Sequence, residues 1–144
     1  MPAVLHRLRA VLVLVPLMFT AATGPAAGQV IDSPESWTEG TFNELRAGRY
    51  DGFETRLREA LEADPRQLTD MVARLRQWAG TDQVIYVDLL LNQNYGSSLL
   101  RRVYQVHYGG RRFMFFLTQF ARGSDGWLLM DFKASTSPGD FLGP

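Results

Sequence analysis

The chain has 144 residues and a mass of 16.2 kDa, with 46% hydrophobic and 21% charged side chains and fifteen basic residues against fifteen acidic ones. That balance describes one globular domain and removes any broad electrostatic pull toward nucleic acid or anionic lipid. The absence of cysteine excludes disulfides, thiol nucleophiles, iron–sulfur clusters and cysteine zinc sites, and two histidines are too few for a multi-histidine metal site.

The chain opens with His6, Arg7 and Arg9 and no acid, followed by an apolar run from Ala10 to Phe19. A spanning helix needs about 20 apolar residues. This run is shorter, contains Pro16 and passes into the small residues of Ala21 to Gly28, the pattern of an export signal rather than of a retained anchor. The predicted leader is residues 1–28, cut before Gln29 or a few residues earlier, and lipid attachment there would need a cysteine. Its removal takes away Arg7 and Arg9 and no acid, so the equal charge count becomes a net charge of −2 over about 116 residues. The predicted location is outside the cytoplasm, periplasmic or secreted, with no membrane span after cleavage. A single domain over residues 29–144 buries roughly two-thirds of its unfolded surface, enough for a core without cross-links.

Ser33-Pro34-Glu35 reads as an N-cap, a first-turn proline and an acid at the positive helix end, opening a helix from Pro34 to Ala47. Trp37, Thr41, Phe42 and Leu45 share one face of it, and Gly48 stands where it should end. Asp51 with Glu54 resembles a capping box for a second helix, in which Phe53, Leu57 and Leu61 recur every fourth residue. Asp64-Pro65 repeats the start signal. Leu68, Met71, Val72, Leu75, Trp78 and Ala79 then form the clearest amphipathic stripe of the chain, closed by Gly80.

Beyond Gly80 the period changes to alternation with β-branched and aromatic residues, predicting four strands: 84–91, 99–108, 111–120 and 127–134. Gly109-Gly110 suits a two-residue hairpin turn. Short connections force antiparallel neighbours, so the predicted fold is α+β, with three N-terminal helices packed on a curved four-stranded antiparallel meander. A two-residue turn pairs Tyr108 with Arg111 and Tyr104 with Phe115. The core face then collects Leu100, Tyr104, Val106, Phe113, Phe115, Leu117, Leu128, Met130 and Phe132, with Ile85, Val87 and Leu89. The other face is mixed rather than polar. Met114, Phe116, Phe120 and Leu129 cluster there, which calls for a cover, either a wrapping helix or a second subunit. The reading favours a homodimer through these four residues.

Candidate chemistry is sparse. His107, the histidine left after processing, falls on the same predicted face as Asp88 and Asp131, and such a pair can carry protons near neutral pH. A histidine beside a hairpin turn is equally an ordinary surface residue, and His107 is only a weak catalytic candidate. Arg101-Arg102 and Arg111-Arg112 bracket one hairpin and could gather an anion or simply keep the sheet soluble. Tyr104, Tyr108 and Arg102 on the core face could line a small-molecule pocket. No phosphate-binding glycine loop or calcium-loop spacing is present, and the reading implies no metal, no cofactor and no nucleic acid partner.

A tryptophan- and glycine-containing first helix, the run AGRYDGFE at the second, and a meander ending DGWLLMDFKAS together resemble the NTF2-like (cystatin-like α+β roll) superfamily, in particular its small exported bacterial members of no assigned function. The resemblance spans residues 33–135. It implies helices packed into the concave side of the sheet and a dimer on the other side. Enzymatic members place an Asp–His or Tyr–Asp pair inside the cone, whereas the predicted core face here carries no carboxylate at a definite position. The combined reading is an exported, non-enzymatic, homodimeric binding or interaction module with a small-molecule or protein partner. The alternative is a ligand-binding or catalytic cone built on Tyr104, Tyr108 and Arg102, with His107 as its base.

Overall fold

Residues 28–143 are described by a computed structural model, so the predicted leader lies outside the described residues except for Gly28. Three helices come first: α1 (Pro34–Arg46), α2 (Tyr50–Ala60) and α3 (Pro65–Ala79). Ser33 caps α1 by accepting from Ser36 N, and Asp64 caps α3 by accepting from Arg66 N, as their sequence signals require. The capping box predicted for α2 does not form. That helix begins at Tyr50 behind Arg49, which makes no side-chain cap, and Asp51 lies inside the first turn, where its charge still favours the helix start.

The sheet follows as β1 (Val84–Tyr95), β2 (Leu99–Tyr108), β3 (Arg112–Arg122) and β4 (Trp127–Ser135), in the order β1-β2-β3-β4 with every pair antiparallel. A short fourth helix, α4 (Gly139–Leu142), ends the fold. Bulges at Ile85 and Leu90 in β1 and near Met130 in β4 bend the two edge strands. The N-terminal segment is tied down on the other side. Gln29 N donates to Glu59 O at 2.9 Å, Ile31 bridges Trp127, and a Cβ on Gly28 would stand 2.3 Å from the Ala60 carbonyl oxygen.

The β2–β3 turn is one residue longer than predicted. Gly109, Gly110 and Arg111 form it, with Gly110 at φ +72° and Arg111 at φ +61°, so Tyr108 pairs with Arg112, Val106 with Met114 and Tyr104 with Phe116. A one-residue slip exchanges the two faces of a strand. Phe113, Phe115 and Leu117 therefore point away from the helices, while Met114, Phe116 and Phe120 point into them. The expected dimer residues Met114, Phe116, Phe120 and Leu129 are 6%, 0%, 0% and 4% exposed and belong to the main core with Phe42, Phe53 and Leu57. They form no subunit interface. On β4 the bulge brings Leu129 and Phe132 to one side and leaves Met130 exposed; on β1, Ile85 at the first bulge and Leu89 beside the second are exposed too. Leu100, Tyr104 and Val106 are in the core as expected.

Candidate functional site

The concave side of the sheet is filled by aromatic rings meeting at steep angles. Phe42 lies 5.0 Å from Tyr104 and 5.5 Å from Phe116, Phe53 lies 5.8 Å from Phe132, and Trp37 lies 5.8 Å from Phe120. Such edge-on pairs add to the area that they bury. The polar groups expected to line a pocket sit at the margins of this plug and are divided among three places.

Arg102 and Tyr104 share a cleft of about 320 Å³ between α1 and β1, with Phe42, Val87 and Leu89 as its apolar wall. The buried Arg102 guanidinium donates from Nε to Asn92 Oδ1 at 3.1 Å and from Nη2 to the Glu35 carboxylate. The bond from Arg102 is the main cause holding the Glu35 pKa below its ordinary value. Burial alone would lower the Arg102 pKa, but the Glu35 bond and the neighbouring groups outweigh it and leave that pKa raised. Burial raises the Tyr104 pKa, with Arg102 opposing. The cleft thus holds an ion pair already satisfied from within the chain.

Tyr108 does not line this cleft. Four residues along β2 is roughly 13 Å, and there the ring packs edge-on to Trp78 at 5.2 Å, away from Arg102. Its buried hydroxyl has no hydrogen-bond partner among the described residues, and burial followed by the neighbouring Tyr50 pushes its pKa upward. The expected trio of Arg102, Tyr104 and Tyr108 is therefore a pair plus a core residue.

His107 faces the opposite side of the sheet. Its ring stacks on Tyr86 at 3.6 Å and meets the edge of Phe113 at 4.7 Å; Nε2 lies 3.3 Å from Asp88 Oδ2 without forming a hydrogen bond. Asp131 pairs instead with Lys133 at 2.9 Å. The sheet itself separates His107 from Arg102 and Tyr104, so the imidazole cannot serve as a base for that cleft. The four hairpin arginines do not converge either. Arg102 is the inner-face group just described, and Arg101 Nη2 donates to the Phe141 carbonyl at 2.6 Å on the outer face. Arg112 closes the C-terminus of α3, donating to the carbonyls of Trp78 and Ala79 and to Asp82 Oδ2 at 2.6 Å, with its guanidinium 4.6 Å from the Trp78 ring. Arg111 is in the turn.

Two solved structures match this arrangement of three helices and a four-stranded antiparallel sheet, each with a TM-score of 0.54. One, from Thiobacillus denitrificans ATCC 25259, is assigned as a calcium/calmodulin-dependent protein kinase type II association domain; it is 14% identical, over 74% of this chain and 97% of that one. The other, from Campylobacter jejuni, is assigned as an NTF2-like transpeptidase and is 12% identical, over 69% of this chain and 99% of that one. The fold is NTF2-like. No protein-family model matches the sequence, and no curated protein does.

Two features of this NTF2-like domain escaped the sequence reading. An apolar cleft of about 450 Å³ opens between α3 and the ends of β3 and β4, floored by Met71, Leu75, Trp78, Met114 and Ala134 and rimmed by Gln67, Asp70 and Arg74. The α3 stripe announced most of these residues, but as core. The second feature is a separate apolar cluster on the outer face, where Phe141 of α4 covers Val103, Phe115 and Leu117 with Leu91 alongside. An isolated aromatic bracketed by Pro138, Gly139 and Gly143 was its signal. Beside this cluster Phe113 and Tyr86 are 39% and 46% exposed. Among the described residues no group of three His, Asp or Glu side chains is placed to hold a metal ion, and no helix is long and apolar enough to cross a membrane.

Proposed function

We propose that the chain is an exported, non-enzymatic interaction module whose working surface is the outer face of the sheet, where it pairs with a second copy. The carrying observation is the row Phe113, Phe115 and Leu117 on a central strand, apolar on the side turned away from the helices and open at its Phe113 end. Sheet faces that meet only water read polar. Export is supported by the charged start, the short apolar run and the small residues before Gln29. The filled concave side and the dispersal of Arg102, Tyr108 and His107 support a role without catalysis. The association-domain assignment of the Thiobacillus structure points the same way. In a concentration series by sedimentation velocity the purified protein should run as a dimer, and Phe113→Asp should dissociate it with unchanged circular dichroism. A wild-type monomer at every concentration would end the pairing proposal.

A second reading rests on the cleft beneath α3, whose volume and apolar floor suit a small ligand with a polar end at the Gln67, Asp70 and Arg74 rim. A metabolite screen by thermal shift tests it. A reproducible rise in midpoint with one chemical class, abolished by Met114→Trp, would establish a ligand-binding role beside the pairing one.

A further inference from the structure

Among the described residues Arg102 is the one charged side chain that is buried. A buried ion pair is a poor source of stability, since apolar side chains of similar volume often do as well or better in its place. Its level on the sheet also interrupts an aromatic face. Asn92 stands beside Arg102 on β1 and Thr118 on β3, and the fully buried Thr118 hydroxyl has no partner among the described residues. Glu35 is a loosely placed counter-ion for such a group. Its side chain is 65% exposed against 8% for Arg102, it reaches in from the first turn of α1, and Ser33 Oγ donates to its Oε2 at 3.2 Å. A carboxylate at a helix N-terminus is favoured there without any arginine. Release from Arg102 therefore leaves Glu35 solvated and hydrogen bonded, while Arg102 keeps its bond to Asn92 Oδ1. Within the described residues only Nε and Nη2 of Arg102 donate, so its Nη1 edge has room for a second acceptor.

We propose that the cleft between α1 and β1 binds a small monocarboxylate with an apolar body, and that Glu35 is an internal stand-in which the ligand's carboxylate displaces from Arg102. The Nη1–Nη2 end of a guanidinium holds a carboxylate by two parallel hydrogen bonds, a geometry that Glu35, bound at Nη2 alone, does not complete. Phe42, Val87 and Leu89 supply a wall for the apolar body, and Leu89 is exposed until something covers it. The volume of about 320 Å³ equals that of roughly ten waters, which suits a chain of a few carbons. Glu39 and Arg46 also line the cleft with opposite charges, so Arg102 decides the sign of the ligand. The cleft shares no lining residue with the one beneath α3 and lies on the helix side of the sheet, so the inference stands apart from both readings above.

The probe is sodium hexanoate, with hexanol as its uncharged counterpart, titrated into the full chain and followed by heteronuclear NMR at the Arg102 Nε–H and the amides of Thr38, Phe42, Val87 and Leu89. Hexanoate should shift these signals saturably, and hexanol should not. Glu35→Gln should tighten hexanoate roughly fivefold, because the competing carboxylate is gone and the binding-competent state is no longer a minority. Arg102→Met, which puts apolar bulk where the charge was, should abolish binding with unchanged circular dichroism. Equal responses to hexanoate and hexanol would overturn carboxylate recognition and leave only an apolar cleft. An affinity unchanged or weakened by Glu35→Gln would overturn the stand-in. Shifts confined to Gln67, Met71 and Trp78 would uphold the ligand site beneath α3 and overturn this one. No saturable response in either wild type or Glu35→Gln would overturn the site outright. Should Arg102→Met fail to fold, the hexanol control and Glu35→Gln carry the decision, because Glu35 is an exposed side chain.

Discussion

The two faces of the sheet are made from the same kinds of residue and are sealed in very different ways. The inner face is closed by three helices that contribute Trp37, Phe42, Phe53, Leu57 and Val72 to one continuous core; the outer face is closed over part of its area by one turn of helix and one phenylalanine. Phe115 and Phe116 are neighbours in sequence, both buried, and belong to these two separate clusters. Burial measures shielding from water, and it does not tell whether the shield is structural or removable.

The sharpest way to break this comparison is to charge each neighbour in turn. Phe116→Asp should leave no soluble folded protein, because it places a carboxylate among Phe42, Phe53 and Phe132 with nothing to pair it. Phe115→Asp should fold, with residues 136–143 exchanging rapidly. Equal losses from the two would mean that the outer cluster is as integral as the inner one. The next effect is smaller. Arg112→Ala removes the groups that close α3 and its stacking on Trp78, and should cost about 2 kcal/mol in denaturant unfolding.

Glu35→Gln should cost about 1 kcal/mol at neutral pH, since Arg102 is buried but the carboxylate is largely exposed and screened. The folded-state pKa of Glu35 is depressed, so its contribution is fully present above the ordinary value of 4.5 and is lost as pH falls through the lower folded value. The gap between wild type and variant should accordingly close on acidification. Tyr108→Phe should give the smallest change, a gain of up to about 1 kcal/mol from removing a buried hydroxyl without a partner. The folded-state pKa of Tyr108 is raised, so below the ordinary value of 10.0 its titration costs the fold nothing, and as pH climbs from there toward the higher folded value stability is lost. The variant should lose less stability than wild type in alkali.

The elements were legible in the sequence because their signals are local. Ser33 and Asp64 cap the helices that they announce, Gly80 closes α3, and alternation after it marks the strands within a few residues. The register was not, because it depends on one backbone choice in the β2–β3 turn. Arg111 takes a positive φ that side chains other than glycine rarely adopt, and this lengthens the turn by one residue and exchanges the faces of β3. Met114, Phe116 and Phe120 moved inward for that reason, and Leu129, paired with Phe120 next to the β4 bulge, lies inward with them. Of the expected pocket, Arg102 and Tyr104 do share a cleft. The pairing of Arg102 with Glu35 joins residues far apart in sequence, which alternation within a strand cannot reveal.

The start of the domain is fixed by main-chain contacts. Gln29 is hydrogen bonded to the end of α2, and Gly28 rests so close to the Ala60 carbonyl that no larger residue fits. Gln29 is itself exposed and Gly28 is half-buried, so the segment is held by its backbone rather than by a buried side chain. The first residues of the domain are thus anchored on α2 by main-chain contacts alone, and any side chain at position 28 would lift them off it.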